Sequence, residues 1–208
     1  MSKHLAAAVQ MRTGADLETN LRRARALAEQ AVERGAKLVV LPEVFAWRGP
    51  RTDEPSATTP IPGPVSDFLR RLAADLATVL VAGSFLERAP EGGKSYNTSL
   101  VVLPDGTIAA RYRKIHLFDV DLPGEVSVRE SDTRAHGREV VTTPTPLGTI
   151  GLSICYDLRF PELYRQLAAA GATILTVPSA FTFYTGAAHW EPLLRARAIE
   201  NQAYVIAP

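Results

Sequence analysis

The chain has 208 residues, of which 46% are hydrophobic and 22% are charged, and these proportions exclude a disordered or fibrous protein. Its net charge of +1 gives no electrostatic basis for binding nucleic acid or an anionic membrane. The single cysteine, Cys155, excludes an intrachain disulfide and a cysteine-based metal cluster, and it suits a reducing cytoplasm. We expect no signal peptide and no membrane span, because no apolar run is long enough for either.

The first half of the chain alternates predicted strands and helices, which indicates an α/β fold. A helix is predicted over 16–34 with Gly35 as its cap, and a second helix presents Val65, Leu69 and Leu72 on one face. Residues 48–63 contain four prolines and predict an irregular loop. Strands are predicted at 5–9 (buried), 37–41, 78–85, 95–103 and 107–112.

The second half begins with residues 116–138, which have no clear period and are predicted to form one long functional loop containing Pro123 and Gly124. The remaining predicted elements are a hairpin of 140–142 and 149–154, a helix over 161–170, a strand at 172–177, a helix over 189–202 and a strand at 203–207. The alternation of strands and helices therefore continues to the last residues.

Three reactive side chains each follow a predicted strand. Glu43 comes after KLVVL, Lys114 after TIAARY and Cys155 after TIGLSI. In layered α/β folds the loops at the carboxyl ends of strands form the ligand crevice. This topology can bring the three residues together although they are far apart in the sequence.

Each of these residues is ambiguous when taken alone. A lone cysteine is usually a small buried hydrophobe, and most glutamates and lysines are solvated surface residues. The strand-to-helix turn around Cys155 favours a nucleophile, since a helix N-terminus lowers the pKa of a thiol. Glu43 is flanked by apolar residues, which favours the role of a general base. Lys114 would be a fixed cation that lowers the thiol pKa and stabilises an oxyanion.

The segments LPEVF (41–45), YRKIHLFD (112–119) and GLSICYDLRFPELYR (151–165) resemble the three motif segments of the nitrilase, or carbon–nitrogen hydrolase, superfamily. The resemblance runs from residue 4 to the end and implies one domain over 1–208 with a four-layer αββα sandwich. It implies a Glu-Lys-Cys triad formed by Glu43, Lys114 and Cys155. A further glutamate of the family is matched best by Glu130.

Residues 178–205, together with DVDLPG and RESD, resemble the Nit-type branch of deaminated-glutathione amidases and ω-amidases. This implies a small carboxylate-bearing amide as substrate, no cofactor or metal, and a homodimer or higher oligomer. Family members continue past the strand that ends at Pro208, so the resemblance also implies that the chain is truncated at its C-terminus.

Three function classes follow from these observations. In an amidase, Glu43 would activate the thiol, Lys114 and the backbone N–H of Tyr156 would hold the oxyanion, and Glu130 would position the amide or the base. A nitrilase would use the same residues, and an inactive scaffold or binding subunit is the third alternative. A papain-type protease lacks its histidine context, and Gly92-Gly93-Lys94 lacks the P-loop pattern.

A carboxylate substrate requires a cation or backbone donors in the pocket. Arg129, Arg134 and Arg159 are the arginines in or near the loops predicted to cover the site, although each is more often a surface or structural residue. We expect Asp157 to hold the turn and the helix start. The four histidines have no cysteine or carboxylate partner at ligand spacing, which does not favour a metal site.

Overall fold

A computed structural model of the chain describes residues 3–122 and 126–208. Pro123 and Gly124, part of the DVDLPG segment, lie outside the described residues. The helices are α1 Leu17–Glu33, α2 Pro64–Asp75, α3 Pro161–Ala169 and α4 Phe183–Asn201. The strands are β1 Leu5–Ala8, β2 Ala36–Val40, β3 Val79–Val81, β4 Phe85–Glu87, β5 Ser95–Val102, β6 Ile108–Arg113, β7 Asp119–Leu122, β8 Val126–Arg129, β9 Arg134–Ala135, β10 Thr142–Thr145, β11 Gly148–Leu152, β12 Ile174–Thr176 and β13 Tyr204–Ile206.

Two sheets contain most of the described strands. In the first, β1, β2 and β3 are parallel neighbours, and β5 pairs antiparallel with β3, β4 and β6 and parallel with β9. In the second, β11, β12 and β13 are parallel and β10 joins β11 as an antiparallel hairpin. Strands β7 and β8 form a separate hairpin. Each sheet therefore combines parallel strands with antiparallel ones.

The buried side chains lie in three layers between these elements. One cluster fills the space between the first sheet and helices α1 and α2, including Ala24, Val39 and Leu69. A second cluster joins the inner faces of the two sheets and includes Leu38, Val81, Tyr112, Leu152 and Ile174. A third places α3 and α4 on the outer face of the second sheet. The order is helix, sheet, sheet, helix, which confirms the predicted αββα sandwich.

The ends of α1 show why its sequence signals were reliable. The carboxylate of Asp16 accepts a hydrogen bond from the backbone N–H of Thr19 at 2.8 Å, as an N-cap residue does. At the other end Gly35 follows the helix with a φ of +94°, a conformation that glycine adopts without steric cost. The predicted limits of 16–34 therefore differ from the observed helix only at its capping residues.

Four predictions about elements were wrong. Strand β1 is largely exposed rather than buried, because it is the edge strand of its sheet. The stretch 78–85 is broken into β3 and β4 at Gly83. The predicted loop 116–138 contains the β7–β8 hairpin and the short strand β9, and helix α4 begins six residues earlier than predicted, at Phe183.

The irregular loop 48–63 also contains a 3-10 helix, Arg51–Ala57. Within residues 3–122 and 126–208, the helices are all too short or too polar to cross a lipid bilayer.

Candidate active site

The three motif residues converge because their strands lie on facing sheets. Glu43 follows β2 by three residues, and Lys114 follows β6 directly, both in the first sheet. Cys155 follows β11 by three residues, in the second sheet. Since the inner faces of the two sheets pack together, the loops after these strands meet at one end of the sandwich. All three residues line the same cavity of about 340 Å³.

Lys114 is the central cation of this site. Its Nζ lies 3.2 Å from Glu43 Oε1 and 2.9 Å from Glu130 Oε2, and its side chain is only 2% exposed. Burial acts to lower the pKa of Lys114, but the negative charges around it, chiefly that of Glu43, raise this pKa well above its usual value. The ammonium group is therefore a permanent positive charge.

Glu43 is held at both carboxylate oxygens. Its Oε1 accepts hydrogen bonds from Lys114 and, at 3.0 Å, from Asn97 Nδ2, and its Oε2 accepts one from the backbone N–H of Ala180 at 2.8 Å. These donors come from three different segments, and Glu43 is 7% exposed. The carboxylate thus has a fixed orientation at the cavity wall.

Glu130 is a second buried carboxylate with a different set of partners. It accepts hydrogen bonds from Lys114 Nζ, from the backbone N–H of Phe118 at 2.7 Å and from Arg134 Nη1 at 2.6 Å. Burial raises its pKa, but the positive charges of Lys114 and Arg134 outweigh burial and lower the pKa of Glu130 to about 2. Glu130 is therefore ionised throughout the physiological pH range.

Cys155 begins a 3-10 turn, Cys155–Arg159, that leads into α3. It has a φ of +50°, a conformation that costs a non-glycine residue roughly 1–2 kcal/mol and that is common at functional sites. Its backbone N–H donates to the carbonyl oxygen of Pro178 at 2.9 Å, which fixes the turn against the segment after β12. The nucleophile candidate is thus a strained residue on a rigid turn.

The thiol pKa is higher than the sequence predicted. Burial raises the pKa of Cys155 strongly, and the nearby carboxylate of Glu43 raises it further, while Lys114 lowers it by less. Lys114 therefore acts on the thiol pKa in the predicted direction, but burial and Glu43 outweigh it, so the predicted net lowering is wrong for the resting site. A protonated thiol requires a nearby base, and Glu43, the carboxylate whose charge acts most strongly on the thiol, is that group.

Asp157 connects the cysteine turn to the lysine segment. It is fully buried and accepts hydrogen bonds from the hydroxyl of Tyr112 at 2.6 Å, the backbone N–H of Ile154 at 2.9 Å and the backbone N–H of His116 at 3.0 Å. The His116 ring, whose Nδ1 is also 2.7 Å from Asp157, stacks on Phe160. Asp157 therefore has the structural role that the sequence predicted.

Two glycines allow close backbone approaches beside the site. A Cβ at Gly83 would lie 2.1 Å from the carbonyl oxygen of Pro42, next to Glu43. A Cβ at Gly137 would lie 2.1 Å from the carbonyl oxygen of Arg113, next to Lys114, and the N–H of Gly137 donates to the Lys114 carbonyl at 2.7 Å. Any larger residue at either position would displace a strand end that carries a site residue.

The arginines around the cavity differ from those predicted. Arg134 lines the cavity, but Arg129 and Arg159 are not among its lining residues. Arg159 instead lies near Tyr156 and Phe181, and its Nη1 is 3.2 Å from His189 Nδ1. Sequence reasoning missed Arg48 and Arg51, which line the cavity from the segment after Glu43.

Two other site residues were missed. Asn97, in the middle of β5, donates to Glu43 and lies 3.4 Å from Glu130, and Glu54 lines the cavity from the 3-10 helix Arg51–Ala57. An asparagine inside a predicted strand was the available signal for Asn97, since strands are depleted in this residue. Nothing in the proline-rich loop distinguished Glu54 from a surface carboxylate.

The fold and the site define a carbon–nitrogen hydrolase. The carbon-nitrogen hydrolase family profile matches residues 5–208, and the chain belongs to this family. It is an amidohydrolase, as are its curated relatives.

The chain is 47% identical over 211 residues to a deaminated glutathione amidase of Synechocystis, covering 100% of this chain and 78% of that protein. It is 42% identical over 205 residues to the omega-amidase NIT2 of Mus musculus, and the match covers 99% of this chain and 74% of NIT2.

The chain is also similar to solved structures of nitrilase-superfamily proteins. Saccharomyces cerevisiae Nit3, a member of branch 10 of the nitrilase superfamily, superposes with a TM-score of 0.88 at 36% identity, covering 98% of this chain and 74% of Nit3. A mutant amidase from Nesterenkonia sp. AN1, which shows Michael addition of acrylamide at its active site cysteine, superposes with a TM-score of 0.76 at 25% identity. The match covers 94% of this chain and 74% of the amidase.

Proposed function

We propose that the protein hydrolyses the carboxamide of a small carboxylate-bearing molecule through a thioester on Cys155. One observation carries this proposal: a buried carboxylate, a buried ammonium group and a thiol line the same cavity. The relatives named deaminated glutathione amidase and omega-amidase support the amide class, and the acrylamide adduct of the Nesterenkonia amidase supports cysteine as the reacting residue.

Acylation begins with proton transfer from the thiol to Glu43. The sulfur then attacks the amide carbon, and the electron pair of the C=O bond moves to oxygen. Lys114 uses two of its three N–H donors on Glu43 and Glu130, so the third is available for this oxyanion. The backbone N–H of Tyr156 is the proposed second donor.

Collapse of the tetrahedral intermediate breaks the C–N bond. Protonated Glu43 gives its proton to the departing nitrogen, which leaves as ammonia or an amine, and the acyl group remains on sulfur as a thioester. Glu43 then takes a proton from water as the water oxygen attacks the thioester carbon. The C–S bond breaks, Glu43 returns this proton to the leaving sulfur, and the thiol is regenerated with the carboxylic acid product. Glu130 stays ionised and holds Lys114 in place. These reaction steps need no cofactor.

We propose Arg48 and Arg51 as the cations that select a carboxylate on the substrate. Both line the cavity and both are exposed. Arg51 has one loose ion pair, 3.8 Å from Asp132, and within the described part of the chain Arg48 has no side-chain hydrogen bond or ion pair. A substrate carboxylate would be repelled by Glu43 and Glu130, and a cation at the rim offsets that repulsion.

Two carboxylate-bearing amides and a neutral amide test this substrate class. Release of ammonia from α-ketoglutaramate and of the amine from deaminated glutathione should both exceed release of ammonia from a neutral amide. The Arg48→Met variant should raise KM for the carboxylate amides about tenfold and leave the neutral amide unchanged. A preference for the neutral amide would defeat the carboxylate assignment, and turnover of the matched nitrile instead of the amide would indicate a nitrilase.

We further propose that the enzyme works in the cytoplasm. The single cysteine is the proposed nucleophile, and a reducing compartment keeps it as a thiol.

A further inference from the structure

We propose that Arg134 and Glu54 form a clamp that positions Glu130, and through Glu130 the Lys114 ammonium group, for the proposed amidase reaction. This inference rests on the proposed function. It concerns two residues that the mechanism itself does not use. Both are positioning residues, because they act through Glu130 rather than on the substrate.

The guanidinium of Arg134 is held on three sides. Its Nε and Nη2 donate to the two carboxylate oxygens of Glu54 at 2.7 and 3.0 Å, a bidentate pair, and its Nη1 donates to Glu130 Oε1 at 2.6 Å. The hydroxyl of Thr133 also donates to Glu54, at 3.1 Å. Each guanidinium nitrogen therefore already has a carboxylate partner.

Burial shows that this clamp is part of the site wall rather than a surface ion pair. The side chains of Arg134 and Glu54 are 17% and 6% exposed, and both line the cavity that contains Cys155. Buried charges are tolerated only when they are paired, so the two residues depend on each other. Since three of its nitrogens are committed, we assign Arg134 to Glu130 and not to the substrate carboxylate.

The clamp completes a row of alternating charges. Glu43, Lys114, Glu130, Arg134 and Glu54 follow one another, and each makes an ion pair with the next. Without Arg134, Glu130 would keep Lys114 and the Phe118 backbone N–H, but its Oε1 atom would lose its charged partner and keep only the longer hydrogen bond from Asn97, at 3.4 Å. Glu130 could then rotate, and the Lys114 donor meant for the oxyanion would no longer be fixed.

The arrangement makes a prediction about pH as well as rate. Arg134 is a positive charge beside Glu130 that lowers the pKa of this carboxyl group, so its removal should raise the pKa of Glu130. In Arg134→Met the acid limb of kcat/KM should move to higher pH by about one unit, and kcat should fall roughly tenfold with a smaller change in KM. The double variant Glu54→Gln, Arg134→Met does not leave Glu54 as an unpaired buried carboxylate. It should shift the acid limb of kcat/KM in the same direction, but by less.

A second buried bidentate pair provides a matched control. Arg113 donates to both carboxylate oxygens of Glu87, at 2.9 and 2.7 Å, outside the cavity lining. The variant Glu87→Gln, Arg113→Met should lower stability and leave the acid limb unmoved. If the acid limb of kcat/KM is also unmoved in the folded Arg134 variants, the positioning role is wrong and the clamp only stabilises the fold.

Alkylation of Cys155 separates this inference from the proposed function. The pH dependence of iodoacetamide labelling needs no amide substrate, and the Arg134 variants should shift it to higher pH relative to wild type. If wild-type protein hydrolyses no amide but labelling still shifts, the proposed substrate class fails and the clamp stands. If amide hydrolysis is found but neither profile shifts, the clamp fails alone.

Discussion

Glu43 and Glu130 contact the same ammonium group, but their other partners differ. Glu130 is held by a second cation, Arg134, and by a backbone N–H, whereas Glu43 is held by an amide side chain and a backbone N–H and is the carboxylate that most affects the thiol pKa. The carboxylate with two cationic partners is suited to remain ionised. Glu43, which shares the cavity with the thiol and has one cationic partner, is suited to exchange a proton.

Replacement of Glu43 tests this division of roles. Glu43→Gln keeps the size of the side chain and removes proton transfer, so kcat/KM should fall about 10²-fold or more. His116→Ala and His189→Ala should be less damaging, since His116 is bound to Asp157 and His189 to Arg159. If steady-state rates show a histidine variant to be the most impaired, a thiol–imidazole mechanism replaces the one proposed here.

Glu130 should also make stability depend on pH. Its pKa is about 2 in the folded protein and 4.5 as an unperturbed group, so its contribution is complete above about pH 4.5 and is lost as pH falls toward 2. The lowered pKa corresponds to about 3 kcal/mol. Urea unfolding between pH 5 and pH 2.5 should show a flatter dependence in Glu130→Gln. The exposed control Glu139→Gln should behave like wild type, and an equal slope in all three proteins would contradict the assignment.

The element that carries the nucleophile is the 3-10 turn Cys155–Arg159, and Asp157 is its main support. Asp157→Ala removes the acceptor for Tyr112, Ile154 and His116 and leaves these donors buried, which should reduce the free energy of unfolding by about 3 kcal/mol. Tyr112→Phe removes one of the bonds and should cost about 1 kcal/mol. Chemical denaturation measures the free energy of unfolding of both variants. Equal losses in the two variants would show that Asp157 does not hold the turn.

Sequence patterns located the elements that have their own local signals. Helix α1 has a capping aspartate, an apolar face and a C-terminal glycine, and its predicted span was confirmed within one residue at each end. The β10–β11 hairpin was found from its turn, although its strands are shifted toward that turn. Glu43, Lys114 and Cys155 were found because each follows a strand, and the structure places all three at one cavity.

The errors arose where tertiary contacts decide the structure. The two strands of the β7–β8 hairpin, DVDL and VSVR, alternate apolar and polar residues, but each run is only four residues long in a charged segment, so the pairing was missed. Strand β1 is apolar enough to predict burial, but its place at the sheet edge leaves Leu5 53% exposed. Likewise, Glu54 and Arg134 are 80 residues apart, and only the folded chain shows that they are partners.

At the scale of the whole molecule, the exposed apolar residues lie mainly on α4 and β13. Phe183, Ile199 and Tyr204 are 90%, 76% and 79% exposed. The apolar face of α3 is covered by the third core cluster, so α4 is the helix of the two that presents apolar surface. Such residues are common at subunit interfaces, and this supports the predicted association of two copies through this side of the sandwich.

Light scattering at micromolar concentration should therefore give at least the mass of a dimer. Ile199→Glu should shift the protein toward monomer, because it places a charge in an apolar contact. Leu5→Glu changes an exposed apolar residue on the opposite sheet and should leave the mass unchanged. A wild-type monomer, or an equal effect of both substitutions, would contradict this interface.

The central claim is that Cys155 becomes acylated during amide hydrolysis. Intact-mass measurement after mixing the enzyme with excess α-ketoglutaramate and quenching in acid tests it most directly. A fraction of the wild-type protein should be heavier by one acyl group located on Cys155, and Cys155→Ala should show neither this species nor ammonia release. Ammonia release by Cys155→Ala at the wild-type rate would contradict it.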